Sequence, residues 1–367
     1  MISILIMNNI EVTKLQLYNF RNYQNKIFNF PKKINIILGK NGSGKTNILE
    51  AITLLKKGSG LKKADLSDII SYDSQPKNFS IFSEIKNHYD IDEIGTNYDG
   101  EKRFFQINGK KLSSYKKEIP IIFLIPQMDN LFCDSKSVRR SFLDSIINNI
   151  YPEHKSNINN YNKQIKERMN LLERGNSKEN AIWLDIIEKK ISEIAVIIAS
   201  SRNEIINYLN QAILQSKSSF TKSKIKIIGE IEEYVLNNTA IATEKLIQEK
   251  FKLNRPKDLE RQRTSFGIHL SDFTAFLNQN MEAKICSTGE QKSILIAIIF
   301  AFIRIFKILN LPLPILLLDE ICSHLDHQKR QDVFLEINDL NIQSFLTGTE
   351  EYLFSDFQGD KIDIIKL

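Results

Sequence analysis

Gly39-Lys40-Asn41-Gly42-Ser43-Gly44-Lys45-Thr46 has the residue types and spacing of a phosphate-binding loop. Gly39, Gly42 and Gly44 let the backbone curl until successive N–H groups point inward at phosphate oxygens, and a helix starting near Lys45 adds its positive dipole end. Lys45 can reach the β- and γ-phosphates as a point charge, and the Thr46 hydroxyl is a hard oxygen suited to Mg2+. The flanks supply the required context: Ile34-Asn35-Ile36-Ile37-Leu38 reads as a short buried strand, and Asn47-Ile48-Leu49-Glu50-Ala51-Ile52 as an amphipathic helix.

Two later stretches complete a nucleotide machine. Ile315-Leu316-Leu317-Leu318-Asp319-Glu320 reads as a buried strand delivering two carboxylates at its end. Asp319 would hold the Mg2+ that bridges the phosphates, and Glu320, pointing elsewhere, would polarise the attacking water. Earlier, Cys286-Ser287-Thr288-Gly289-Glu290-Gln291-Lys292 opens a long apolar helix from Ser293 to Phe306, and serine and glycine at a helix start again offer donors to an anion. The chain thus has two phosphate-binding helix starts, expected to serve different nucleotides.

The elements that must position these residues follow from composition and periodicity. A chain of 367 residues with a hydrophobic share of 42% and a charged share of 26% is an ordinary globular protein with about two or three domains' worth of material. The net charge of +6 is compatible with a polyanionic partner without requiring one; lysine, asparagine and isoleucine are abundant throughout, which points to a general compositional bias behind part of the basicity. Cys133, Cys286 and Cys322 are widely spaced and form no C-x-x-C pair, which argues against a disulfide framework or a zinc site and for a reducing compartment. Met1 to Met7 makes a poor signal peptide, and the apolar run Ile294 to Ile303 is stopped by Arg304 and Lys307, short of the ~20 residues of a membrane span. A cytoplasmic, soluble protein is expected.

Along the chain, Val12 to Leu17 and Lys26 to Phe30 read as strands, Lys56 to Lys63 as a basic loop, and Phe79 to Ile122 as antiparallel sheet with turns at Asp99-Gly100 and Asn108-Gly109. Ile121 to Ile125 is a further buried strand. Ile187, Ile191, Ile194, Ile198, Ile205 and Leu209 recur at helical steps, and with Asn157 to Glu173 as a first arm and Gly175 near the turn they predict a short antiparallel helical hairpin. Lys222 to Ile231 reads as a strand and Thr264 to Asp272 as a strand-loop piece, in which His269, without other ligands at metal spacing, is given a structural or hydrogen-bonding role.

The order of phosphate loop, S-T-G-E-Q-K and L-L-L-D-E followed by Ser323-His324-Leu325-Asp326 resembles the ATP-binding-cassette ATPases of the SMC-like branch. Asn19-Phe20-Arg21-Asn22-Tyr23, Arg139-Arg140-Ser141-Phe142-Leu143-Asp144 and Phe345-Leu346-Thr347-Gly348-Thr349 extend the resemblance, from about Lys14 to Thr349, to the RecF family of bacterial recombination and repair proteins. Departures occur at Cys133 to Val138, where the family has a glycine- and proline-bearing turn, and at Gly267 to Asp272, where it reads G-P-H-R-D-D.

The resemblance implies an α/β fold: an ABC-type ATPase head at 12–150 and 216–367, combining a mixed β-sheet lobe (about 12–125, with the phosphate loop) and an α/β lobe, with an inserted helical arm at 151–215. It implies that ATP and Mg2+ bind Gly39 to Thr46 of one subunit while Ser287 and Gly289 of a second close over the γ-phosphate, with Gln291 in the same nucleotide-contacting set. Gln127 would sense Mg2+ or water, Asp326 would contact the partner, and Thr347 would sense the γ-phosphate. The implied output is weak, DNA-dependent ATP hydrolysis by an ATP-dependent homodimer that recognises gapped or single-strand/double-strand junction DNA and, with RecO and RecR, loads RecA. From the residues alone, Arg21, Lys56, Lys57, Lys62, Lys63, Arg139 and Arg140 are the basic candidates for DNA, although the arginine pair also fits a structural salt-bridge site.

Other readings fit less of the chain. A membrane transporter's ATPase subunit would carry L-S-G-G-Q and a shorter separation between Lys45 and Ser287; an architectural SMC-like protein would need a long rod; a P-loop kinase leaves Ser287 to Lys292 unexplained.

Overall fold

The computed structural model describes residues 9–71, 74–87, 90–112, 119–175, 177–278 and 280–367, so Met1 to Met7 lies outside the described residues. The elements begin with β1 (Glu11–Phe20), β2 (Tyr23–Asn29), β3 (Ile34–Leu38), α1 (Lys45–Thr53), α2 (Leu66–Ile69), β4 (Phe79–Lys86), β5 (Ile91–Tyr98), β6 (Arg103–Ile107), β7 (Lys110–Lys111) and β8 (Ile121–Leu124). They continue with α3 (Lys136–Ile147), α4 (Glu153–Glu173), α5 (Lys178–Gln215), β9 (Ser223–Ile228), α6 (Glu230–Asn237), α7 (Ala240–Glu260), β10 (Asp272–Leu277), β11 (Met281–Glu282) and α8 (Thr288–Ile308). Last come β12 (Ile315–Leu318), α9 (His327–Leu340), β13 (Ser344–Gly348) and β14 (Ile362–Lys366).

Two compact units result, one of Met1–Asp129, Lys217–Phe220 and Ile303–Leu367, the other of Asn130–Ser216 and Thr221–Phe302. In the first, a five-stranded sheet of order β14-β3-β13-β12-β8 is parallel throughout. Every residue of β3, β12 and β13 is buried, which is why none of them alternates polar and apolar along its length and β12 reads as an unbroken apolar run. The second sheet, β2-β1-β4-β5-β6-β7, is antiparallel, and β4 alternates buried and half-buried positions as a strand with one covered face does. Leu15, Leu17, Ile48, Leu49, Ile81 and Phe345 share one apolar core.

In the second unit, α4 and α5 form the expected hairpin, turning at Gly175 with φ 89°, and Ser177 caps α5 by accepting the Asn180 N–H. The unit is larger than the 151–215 hairpin expected from the sequence. α5 packs not only on α4 but on α6, α7 and β9, so 130–150 and 221–302 cluster with the arm. Arg168 locks this arrangement: fully buried, it donates to Glu188 of α5 at 2.8 Å, to Asp258 of α7 at 2.7 Å and to the Phe251 carbonyl at 2.8 Å. Among the described residues no helix is long and apolar enough to cross a membrane.

Candidate nucleotide site

A parallel sheet presents the carboxyl ends of its strands along one edge, where ligands of such sheets bind. Four of the five strands of the parallel sheet deliver a candidate residue there. β3 runs into the phosphate loop, β12 into Asp319 and Glu320, β8 into the turn holding Gln127, and β13 carries Thr347 next to its last residue. The register fixes their level: Leu318 lies opposite both Leu124 and Leu346, and the Asp319 N–H donates to the Leu124 carbonyl at 2.9 Å.

Within the loop, Gly42 and Gly44 adopt φ of 83° and 104°, the left-handed region that glycine enters without cost. At Gly44 there is a second requirement, because a Cβ would sit 2.6 Å from both the Tyr23 hydroxyl and the Asn22 side-chain nitrogen. No side chain caps α1 and its first turn holds no acid, which leaves the helix start to an external anion. Lys45 is buried and its ammonium rests on the carbonyls of Gly39 (2.7 Å) and Lys40 (3.1 Å), 3.9 Å from Glu320 Oε1. The Thr46 hydroxyl lies 3.0 Å from each oxygen of Asp319. Glu320 holds a left-handed backbone, φ 51° and ψ 26°, a conformation that costs a non-glycine residue about 1–3 kcal/mol and collects at functional sites.

Two residues whose roles the sequence did not reveal brace the loop. Asn22 donates from Nδ2 to the Ser43 carbonyl at 3.1 Å, and Asn47 donates to Asn22 Oδ1 at 2.9 Å. The N-F-R-N-Y stretch is recognisable by resemblance, but nothing in its spacing announces that it folds over against Ser43. Burial pushes the Tyr23 hydroxyl up to about 12, so it stays protonated, and it has no partner among the described residues.

Several expected contacts take other roles. Thr347 is fully buried and bonded to Asp319 Oδ1 at 2.7 Å, so its hydroxyl is not presented to a γ-phosphate. Gln291 is buried too, its amide donating to the Cys286 carbonyl at 2.9 Å and accepting from the Cys133 thiol at 3.5 Å; it shapes the S-T-G-E turn instead of facing a ligand. Ser287 and Gly289 are exposed, and Ser287 pairs with Glu290 in a capping box, hydroxyl to carboxylate 2.7 Å and backbone N–H to carboxylate 2.8 Å. Asp326 is exposed and caps α9 through the Lys329 N–H at 2.8 Å; that bond, with the Lys329 ammonium, holds its carboxyl below the usual range. Gln127 is exposed at its turn.

The basic candidates divide sharply. Arg139, expected among the DNA contacts, is instead spent on the framework: it is buried in a two-point pair with Asp272 (2.8 Å each) and also donates to the carbonyls of Phe132 and Asp134. Arg21 is held in a two-point pair with fully buried Glu50 (2.9 and 2.8 Å) and on the Asp68 carbonyl, and so ties the β1–β2 turn to α1 and α2. Lys56 reaches the Ile121 carbonyl at 3.4 Å, and half-buried Arg140 the Ser271 carbonyl at 2.6 Å. Lys57, Lys62 and Lys63 remain exposed. His269 takes its hydrogen-bonding role, with the Tyr161 hydroxyl at 3.0 Å and the Thr264 carbonyl at 3.2 Å, and burial keeps it below its ordinary pKa.

The RecF/RecN/SMC N-terminal domain family matches residues 11–365. The chain is 38% identical to the DNA replication and repair protein RecF of Rickettsia prowazekii (strain Madrid E), over 98% of this chain and 100% of that one. This chain belongs to the RecF family. The RecF of Agrobacterium fabrum is 33% identical over 95% of this chain and 94% of its own. In fold, the chain is similar to a solved recombination mediator protein RecF-ATP of the RecFOR pathway, with a TM-score of 0.82, 23% identity and 98% of each chain covered. The ABC-type head expected from the sequence is thus the fold of this chain, and RecF relatives place it among DNA replication and repair proteins.

Proposed function

We propose that this chain is an ATP-dependent DNA-binding protein of recombinational repair and replication maintenance. In this reading a head-to-tail, ATP-driven homodimer recognises gapped or single-strand/double-strand junction DNA and, with RecO and RecR as partners, helps load RecA in the cytoplasm. The observation that carries it is the convergence of Lys45, Thr46, Asp319 and Glu320 on one edge of the parallel sheet, with Lys45 3.9 Å from Glu320 and Thr46 3.0 Å from Asp319.

The residues fit a magnesium nucleotide. The hydroxyl of Thr46 and the carboxylate of Asp319 are adjoining hard oxygens of the kind Mg2+ selects, with Gln127 on the neighbouring strand end, and α1 offers an uncapped N-terminus. Bound there, Mg2+-ATP would supply the scissile phosphoanhydride. Lys45 can exchange two backbone carbonyls for phosphate charge, while Gly39 to Thr46 orient the chain of phosphates. Glu320, about a third exposed, is free to orient and polarise water. Exposed Ser287 and Gly289 would contact the nucleotide of a second subunit, and exposed Asp326 the partner itself. A ligand that touches both subunits stabilises the pair by its differential affinity, and hydrolysis removes that bridge. DNA contact falls to exposed Lys57, Lys62 and Lys63.

Sedimentation of wild type and Ser287→Arg with ATP, with and without gapped DNA, tests the reading. The expected result is an ATP-dependent dimer that the substitution abolishes; a wild type that stays monomeric in every condition would overturn the dimer.

A further inference from the structure

Thr347, next to last in β13, stands between the two acidic residues of the site, and its hydroxyl is out of reach of solvent. Its oxygen lies 2.7 Å from Asp319 Oδ1 and 2.9 Å from the Glu320 backbone nitrogen. The two bonds have opposite sense. The Glu320 N–H can only donate and the Asp319 carboxylate can only accept, so the hydroxyl proton must point at Asp319 and a lone pair at Glu320. Both neighbours are served by one fixed rotor.

We propose that Thr347 is the positioning residue of hydrolysis, a strut that holds Glu320 in its left-handed backbone while it orients Asp319 toward Thr46. The inference deepens the ATPase reading and rests on it. A left-handed glutamate persists only where its surroundings over-determine it, and an N–H bond to a buried acceptor does that at the residue itself. The parallel ladder sets the distance: Leu346 pairs with Leu318, so the next residue of β13 faces the residues that follow β12. Removing the hydroxyl frees both groups together. The Glu320 N–H is left without its acceptor and Asp319 loses one donor, so the backbone turn can relax and carry the Glu320 carboxylate away from its place beside Lys45. Nucleotide binding, which belongs to Gly39 to Thr46, is expected to survive.

The test compares Thr347→Val, which keeps the β-branch but not the hydroxyl, with Thr347→Ser, which keeps the hydroxyl; Thr347→Ala replaces the valine variant should that fold poorly. Each is made alone and with Glu320→Gln, and two quantities are read: kcat and KM for ATP, and hydrogen exchange of the Glu320 amide in the nucleotide-free protein. The expected outcome is a kcat lowered on the order of 10- to 100-fold in Thr347→Val with KM unchanged, restored by serine. No further loss is expected in the Glu320→Gln background, and the Glu320 amide should exchange faster in Thr347→Val than in wild type. Wild-type kcat in Thr347→Val, the same loss repeated on top of Glu320→Gln, or an amide equally protected in all forms would each overturn the strut. A wild type without turnover would defeat the ATPase reading by itself, and the amide exchange would still decide the role of Thr347.

Discussion

The phosphate loop of the first unit and the R-R-S-F-L-D and S-T-G-E-Q-K stretches of the second are equally recognisable as motifs, yet they use their residues in opposite ways. In the first unit the motif side chains point at a site: Lys45, Thr46, Asp319 and Glu320 meet within a few ångströms, resting on one another and on backbone carbonyls. In the second, most motif side chains are consumed by the framework. Arg139 clamps Asp272, Asp144 takes a two-point pair from Arg202 and a bond from His154, and Gln291 folds back on its own turn. Among the described residues of these motifs, Ser141, Ser287, Thr288 and Gly289 remain exposed. A recurring motif therefore says that a residue has a fixed partner, and burial says whether that partner is a ligand or the protein.

The first unit should answer most strongly at Glu320. Glu320→Gln should lower turnover by about 10^2- to 10^4-fold while ATP still binds, the loss expected for a group that assists proton transfer; single-turnover kinetics with unchanged hydrolysis would remove it from the site. Lys45→Met should abolish nucleotide binding, read by equilibrium binding of a fluorescent ATP analogue, without lowering the melting temperature of the free protein.

The second unit should answer in stability instead. Arg139→Ala strands the buried Asp272 carboxylate and is expected to cost about 3–5 kcal/mol in chemical denaturation. Its DNA affinity, compared at a temperature where the variant is folded, should match wild type; a loss confined to DNA binding would return Arg139 to the ligand side. The smallest effect belongs to the exposed lysines. Lys57→Gln with Lys63→Gln should reduce the slope of log affinity against log salt by about 0.9 for each phosphate contact removed, and leave basal ATP hydrolysis unaltered.

Legibility followed the range of the interactions. β3, the phosphate loop and α1 are written in consecutive residues, and β12 shows as an apolar run because both of its faces are covered. The Asn108-Gly109 turn is likewise local, with φ of 47° and 74° at its two residues. β5 was hidden inside the predicted antiparallel region because Gly95 interrupts its middle, where the side chains of Phe82 and Gln106 close over the bare backbone. α7 makes no stripe: Ile247 and Phe251 are buried while Ile241 and Leu253 are exposed, and the helix is held instead by Asp258 against Arg168.

Sequence alone determined that a triphosphate loop, a pair of carboxylates and a second helix start exist, because each is a short stretch whose backbone chemistry is set by its own residues. It did not decide which of the flanking polar residues face a ligand. Thr347 lies 28 positions from Asp319, and Arg139 lies 133 positions from Asp272. Strand register joined the first pair and helix-on-sheet packing the second. Burial then turned an expected phosphate sensor into a strut and an expected DNA contact into a clamp, since a polar group removed from water must spend its hydrogen bonds on whatever the fold places beside it.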